Sequence, residues 1–238
     1  VAIRKKRKSS LRVAMEMVRA GEATGCISAG NTGAIVAGGV LLVGRIPGVE
    51  RPGLGVPVPF LNKVSLLLDV GATVRCKPVN LYHFALIGEV YMRSIMGVER
   101  PEIALLSNGE EELKGDEVIS EARELIQAKL DNFIGYVEGK DLPMGPADVI
   151  VCDGFTGNIL LKFMEGAGHA VYELLKEEMG RRVLPRVGMV FMVPMLKELW
   201  HRFNYERYGG TPLLGVNGPV IKAHGRSKST AISSALGV

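Results

Sequence analysis

The sequence has few of the residues that mark several large classes of protein. Three cysteines among 238 residues exclude a disulfide-stapled scaffold, and their odd number fits a reducing compartment. One tryptophan and 6% aromatic residues leave the basic segments without the interleaved rings that are typical of nucleic-acid surfaces. No compact apolar segment with a small-residue cleavage site follows the basic residues 1–8, so no signal peptide is expected. We therefore expect a cytoplasmic globular protein without a nucleic-acid partner.

No segment is predicted to cross a membrane, although the mean hydropathy of +0.19 is high. Residues 23–44 carry no charge over 22 positions, which is long enough for a bilayer. However, they contain six glycines and a polar GNTG segment at 30–33, and a loop in lipid would leave backbone groups unpaired. A strand, a glycine turn and a buried helix are the preferred interpretation.

Positive charge is concentrated in two short groups. The chain carries a net charge of +4, yet its first twelve residues contain six basic side chains and no acid, so the remainder sums to −2. The basic cluster 4–8 is either a solvated helix start or a site for an anionic ligand or acidic partner. Arg181, Arg182 and Arg186 precede a short apolar segment at 188–195, which suits either a membrane interface or packing against another subunit.

Strand and helix patterns alternate along the chain. Strands are predicted at 25–28, 64–70, 102–106, 133–137, 148–152, 213–216 and 220–223. Helices are predicted at 11–20, 33–43, 78–96, 116–130 and 156–179. A further helix is predicted to end at about residue 207, and a final helix is predicted to start at residue 229. This alternation predicts an α/β fold of three layers, with a mainly parallel sheet between helices, in a single domain over 1–238. The Pro- and Gly-rich residues 47–59 are predicted to be an excursion from this pattern.

Four loops that follow predicted strands carry small and polar residues. They are SAGNTG at 28–33, DVGAT at 69–73, the segment 107–115 that includes Asn108, and DGFTGN at 153–158. Because ligands bind beyond the carboxyl ends of strands in open parallel sheets, we expect these four loops to form one site.

The first loop has the features of an anion cradle. Gly30 and Gly33 let the backbone approach a ligand, and Ser28, Asn31 and Thr32 offer donors. The alternative is that Asn31 or Thr32 only caps a buried helix. The loop matches neither a Walker A nor a GxGxxG pattern, so no nucleotide cofactor is expected.

The fourth loop could hold an anionic substrate with Asp153, Asn158 and Lys162, since the last two share a helix face. The alternative is that Asp153 caps the helix and Lys162 is solvated. His224, near a later strand end, is a further candidate. The acidic run 110–112 fits the start of a helix better than a metal site, so no metal is expected.

Six segments in matching order resemble the PlsX family of bacterial phosphate acyltransferases. They are SAGNTGA (28–34), LLLDVGA (66–72), GEEELKG (109–115), NFIGYVEGKD (132–141), VIVCDGFTGNILLK (149–162) and YGGTPLLGVNGPVIKAHG (208–225). The resemblance implies a homodimer whose fold is related to phosphotransacetylases and isocitrate/isopropylmalate dehydrogenases. It also implies transfer of a fatty acyl group from acyl carrier protein to inorganic phosphate, for phospholipid synthesis, without a cofactor.

The chemistry of this transfer, which needs positioning and hydrogen-bond donors more than acid–base groups, suggests a hypothesis for the loop residues. Residues 28–33 would cradle phosphate, Lys162 and Asn158 would stabilise charge, and Asp153 and Asp69 would orient donors. Family members begin with a strand and a glycine loop, which we expect to precede residue 1. Thr73 and Arg75 replace the family's usual Asn and Asp.

The predicted helix that starts at 156 and the helix that ends near 207 are expected to form a projecting hairpin over 156–207 that pairs in a dimer, with a tip at 183–200 for peripheral membrane contact. The basic groups would then dock an acidic carrier protein. Two rival hypotheses are a phosphotransacetylase that uses coenzyme A and a non-catalytic carrier-protein or membrane adaptor.

Overall fold

The computed structural model describes residues 3, 6–109, 117–180, 192–195, 198, 210–223, 225, 227 and 229–236. Strands in this part are β1 Cys26–Ser28, β2 Gly53–Pro59, β3 Val64–Leu68, β4 Ile103–Ser107, β5 Phe133–Glu138, β6 Val149–Val151, β7 Thr211–Leu214 and β8 Val220–Lys222. Helices are α1 Ser10–Ala20, α2 Thr32–Gly38, α3 Pro78–Ser94, α4 Glu117–Gln127, α5 Gly154–Gly180 and α6 Ser229–Leu236. A π-helical turn, Gly39–Val43, continues α2, and a 3-10 turn covers Leu142–Met144.

The predicted alternation of helices and strands is confirmed. Helix α1 ends at Ala20, and Gly21 follows it with a positive φ of 75°. This conformation lets the next N–H, that of Glu22, bond to the Met17 carbonyl at 2.9 Å, as in a glycine C-cap. Residues 23–44 form a strand, a loop and a helix. Among the described residues, no helix combines the length and the apolar character needed to cross a bilayer.

The described strands form one eight-stranded mixed sheet in the order β1-β8-β7-β2-β3-β6-β4-β5. Four of its seven pairings are parallel, and β3, β6, β4 and β5 run side by side in one direction. The pairings β3–β2, β2–β7 and β7–β8 are antiparallel. The mainly parallel α/β fold is therefore as predicted, while the single-domain boundary at 1–238 stays a prediction.

The Pro- and Gly-rich segment departs from the prediction. Residues 53–59 are not an excursion, because they form β2, which is buried throughout. The N–H of Phe60 bonds to Lys63 on the β3 side, so alternation turns the nitrogens of Pro57 and Pro59 away from β3. β7 pairs with β2 only at Gly53 and Leu54. The prolines therefore remove no ladder hydrogen bond, which is why the strand tolerates them.

Alternate residues of the central strands separate the core into two layers. Leu67 lies in the cluster that includes Met15 of α1 and Ile35 of α2, with Leu160 of α5 packed against it. Leu66 and Leu68 lie in the other cluster, which contains buried residues of α3 and α4. Helices α1, α2 and α5 thus cover one face of the sheet, and α3 and α4 cover the other.

Candidate active site

Three of the four predicted loops meet at one edge of the sheet. Strands β3, β6 and β4 are neighbours and parallel, so Asp69, Asp153 and Asn108 follow strand ends at the same edge. A cavity of about 570 Å³ opens there, with Asn108 and Asp153 in its wall and the start of α5 along one side. The topology thus brings these three predicted residues together.

Asp69 is wholly buried, at 0% exposure, and its carboxylate is surrounded by backbone N–H donors. Its Oδ1 accepts from Leu54 (2.8 Å), Gly71 (3.0 Å) and Ala72 (2.9 Å). Its Oδ2 accepts from Thr73 (2.6 Å) and Ala72 (3.1 Å). Burial raises the pKa of Asp69, and these backbone hydrogen bonds act in the opposite direction. Asp69 anchors the loop 69–73 and offers no surface to a substrate; its predicted role in orienting donors stays a prediction.

The first turn of α5 packs directly on that loop. The Gly154 N–H bonds to the Thr73 carbonyl at 2.9 Å, and a side chain at Gly157 would overlap the carbonyl oxygen of Asp69. The Asn158 side chain lies next to Gly71, where a Cβ would be 3.8 Å from the Asn158 Cγ. Glycine at 157 therefore permits the close approach of α5 to this loop.

Asp153 is the N-terminal cap of α5. Its Oδ1 accepts from the N–H groups of Phe155 (2.8 Å) and Thr156 (2.9 Å), and its Oδ2 accepts from the Thr156 hydroxyl (2.6 Å). This is the capping geometry of the alternative interpretation. Lys162, two turns along the same helix, is exposed. Asp153 thus orients the helix start, and the predicted catalytic roles of Asn158 and Lys162 stay predictions.

The first loop does not share this edge, contrary to the expectation that all four loops meet there. Three antiparallel pairings separate β1 from β3, so β1 runs in the opposite direction. Within the loop, Ser28 Oγ accepts from the Gly30 N–H at 3.2 Å. Asn31 Oδ1 accepts from the Ala34 N–H at 3.1 Å, so Asn31 caps α2. Thr32 and Gly33 begin that helix, and phosphate binding by this loop stays a prediction.

Two departures from the family pattern differ in their surroundings. Thr73 is buried, and its hydroxyl donates to the Pro52 carbonyl at 3.2 Å. This buried hydrogen bond fixes the end of the loop 69–73 to the residue that precedes β2. Arg75 is exposed.

Sequence reasoning missed Lys222, which lies beside the first loop. Lys222 is half-buried and pairs with Ser28 across β8 and β1. Burial lowers the pKa of Lys222, Glu165 of α5 opposes that shift, and Lys162 adds to it. Both α5 residues are therefore within electrostatic range of Lys222. A single lysine in the apolar segment VIKA was the available signal.

Several of the remaining predicted residues lie outside the part of the chain that the structure describes. His224 and the acidic run 110–112 lie outside the described residues, as do Arg181, Arg182 and Arg186 and most of the tip 183–200. In the described ranges, no group of three or more His, Cys, Asp or Glu side chains could hold a metal ion. Burial raises the pKa of Cys76 to about 12 and that of buried Cys152 well above its usual value, which does not suit a nucleophile.

Solved structures establish the class of fold. The chain is similar to a phosphotransacetylase from Streptococcus pyogenes, with a TM-score of 0.64 and 18% identity, covering 98% of this chain and 67% of that one. A branched-chain phosphotransacylase from Enterococcus faecalis V583 gives a TM-score of 0.61 and 16% identity, covering 95% and 76% of the two chains. The fold is therefore the phosphotransacetylase-like three-layer α/β fold.

Sequence comparison establishes the family. The model of the family described as "Fatty acid synthesis protein" matches residues 1–238. A phosphate acyltransferase of Thermoanaerobacterium thermosaccharolyticum is 46% identical over 99% of this chain and 71% of its own length. One of Myxococcus xanthus is 50% identical over 99% of this chain and 68% of its own length. The chain belongs to the fatty acid synthesis protein family and is an enzyme of the acyltransferase class, which removes the alternative of a non-catalytic adaptor.

Proposed function

We propose that this enzyme transfers a long-chain acyl group from acyl carrier protein to inorganic phosphate and so forms an acyl phosphate for phospholipid synthesis. The relatives' name, phosphate acyltransferase, supports phosphate as the acceptor. The residues around the cavity support an acyl donor with a long apolar chain.

The cavity beside Asp153 carries the proposal. One end is polar, with Ser107, Asn108 and Thr156, whereas α5 contributes Phe155, Ile159 and Phe163 to the wall. Phe163 remains 70% exposed, so apolar surface extends from the polar end along the helix. Its volume of about 570 Å³ lies inside the range of about 300–1,000 Å³ of small-molecule sites. An alkyl chain that lies along α5 would bury these apolar side chains.

The chemistry needs little acid–base help from the protein. A phosphate oxygen attacks the thioester carbonyl carbon, the C–S bond breaks, and the proton of hydrogen phosphate ends on the released thiol. Phosphate is already anionic, and a thiol with a pKa near ~8.5 leaves readily. Asn158 and Lys162 would stabilise the negative charge that develops on the carbonyl oxygen.

An acidic carrier protein suits the basic start of the chain. Lys6, Arg7 and Lys8 are exposed, and opposite charge accelerates the encounter of two proteins. We expect the KM for the acyl carrier substrate to rise with added salt. The KM for a small thioester serves as the control, and an equal salt effect on both substrates would contradict carrier docking.

The exposed face of α5 supports a homodimer and membrane contact. Val171, Leu174 and Leu175 form an apolar stripe, with Leu174 61% exposed, at the spacing of a packed helix face. We propose that the hairpins 156–207 of two chains pair and that the tip 183–200 touches the bilayer surface. Sedimentation tests the dimer. Flotation with anionic vesicles before and after Phe191→Asp and Val193→Asp tests the contact, and unchanged flotation would contradict it.

The deciding experiment uses palmitoyl-acyl carrier protein with and without phosphate. Free thiol and hydroxamate-trapped acyl phosphate are measured together, and both should appear only with phosphate. Acetyl-coenzyme A is the comparator. Turnover of the coenzyme A thioester alone would favour the phosphotransacetylase alternative, whereas no turnover of either by folded protein would overturn the proposal.

Lys162 tests the site independently. Lys162→Ala should slow turnover more than it changes stability, because Lys162 is exposed and forms no ion pair with a described residue. Lys176→Ala on the same helix is the matched control, since Lys176 only pairs with Glu173 at 3.4 Å. Equal turnover of the two variants would remove Lys162 from the mechanism.

A further inference from the structure

We propose that Lys222 binds the phosphate substrate together with Lys162, as a pair of cations contributed by a strand and by a helix on the same face of the sheet. This inference rests on the proposed function and extends it, because Lys222 belongs to none of the loops that the sequence singles out.

Strand register places Lys222 beside the first loop. In the parallel pairing of β1 with β8, Lys222 is the partner of Ser28 and Val220 is the partner of Cys26. Partners in neighbouring parallel strands point to the same face of a sheet. Lys222 and Ser28 are therefore side by side, at the point where β1 enters its polar loop.

The face is the one that α5 covers. Val220 and Cys26 belong to the core cluster against which Leu160 and Leu161 of α5 pack. Side chains two residues apart in a strand share a face. Lys222 and Ser28 therefore point to the face of the sheet that α1, α2 and α5 cover, and Lys162 and Glu165 of α5 are close enough to influence the Lys222 charge.

The charges are arranged for an anion. Neither Lys222 nor Lys162 forms an ion pair with any carboxylate in the described ranges, although Glu165 lies close enough to favour the Lys222 cation. Lys162 disfavours the Lys222 cation, and a dianion that lies between two lysine cations stabilises both charges. The Ser28 hydroxyl accepts from Gly30, and its proton has no acceptor among the described residues. Two cations and one hydroxyl donor thus face the same space, which suits the charge and the acceptor oxygens of phosphate.

The test compares Lys222→Met and Lys222→Gln with wild type and with Lys129→Met. Lys129 is the control because it is exposed and stacks on Tyr82 of α3, which packs on the opposite face of the sheet. The KM for phosphate should rise about 10- to 100-fold in both Lys222 variants, the range of one charge-assisted contact. The KM for palmitoyl-acyl carrier protein should change by less than about twofold, and Lys222→Arg should recover part of the phosphate affinity.

A second readout does not need turnover. Titration with inorganic phosphate should raise the melting temperature of wild type and Lys129→Met, and this rise should be lost in Lys222→Met and in Lys162→Met. A wild type that gains stability with phosphate but transfers no acyl group would overturn the proposed function and leave the lysine pair supported. A Lys222 variant that responds to phosphate like wild type would overturn the lysine pair. If circular dichroism shows that Lys222→Met does not fold, the phosphate response of Lys222→Gln is compared with that of wild type instead.

Discussion

Replacing Asp69 by Asn should destabilise the protein, because an amide can satisfy only part of the donor cluster around this side chain. The asparagine oxygen can take the place of Oδ1 and keep the N–H groups of Leu54, Gly71 and Ala72. The NH₂ group then faces the Thr73 N–H, which loses its 2.6 Å acceptor inside the protein. The opposite amide orientation would leave two donors, the N–H groups of Leu54 and Gly71, without an acceptor, so it would destabilise the protein more.

The size of the effect follows from these hydrogen bonds. A buried N–H without a partner costs about 1–3 kcal/mol, and exchanging a charged acceptor for a neutral one weakens each of the three remaining bonds by about 1 kcal/mol. Removal of a buried charge offsets part of this loss. We expect Asp69→Asn to lower the free energy of unfolding by about 2–4 kcal/mol.

Urea unfolding followed by circular dichroism measures this difference. Asp131→Asn is the matched control, because the Asp131 side chain is 90% exposed and only pairs with Arg100 on the surface; its effect should stay below about 0.5 kcal/mol. Because Asp69 also anchors the loop on which α5 packs, folded Asp69→Asn should turn over at least ~10-fold more slowly. An unfolding free energy equal to that of the control variant would refute the reasoning.

Three further predictions concern packing, protonation and thiol reactivity. Gly157→Ala should lower the unfolding free energy by about 1–3 kcal/mol through its clash with Asp69, whereas Gly166→Ala on the same helix meets open space and should raise it by up to about 1 kcal/mol. Burial lowers the pKa of His83, so the folded state resists its protonation and stability should fall as the pH drops below about 6.5; an NMR titration midpoint above that value would contradict this. Cys76, with its pKa raised to about 12, should react with a thiol reagent only after denaturation, and fast labelling of native protein would disprove it.

Local features were predictable because each depends on neighbours within a few residues. The apolar spacing of α1 and the glycine after it define that helix and its end. The capping roles of Asn31 and Asp153 follow from short polar side chains directly before a helix. The same holds for the polar loops after β3, β4 and β6, since parallel strands with helical crossovers must end at one edge.

The amino-acid sequence by itself therefore determined most of the elements, with β2 as the exception, the class of fold, and the three loops that meet at one sheet edge. Only the tertiary structure decided the direction of β1, the place of β2 in the middle of the sheet, and the approach of Lys222 to Lys162. Each of these depends on pairings between residues far apart in the chain, such as β1 with β8 and β2 with β7. A single antiparallel pairing reverses the direction of every strand beyond it in the sheet. No local pattern of apolar and polar residues indicates that reversal.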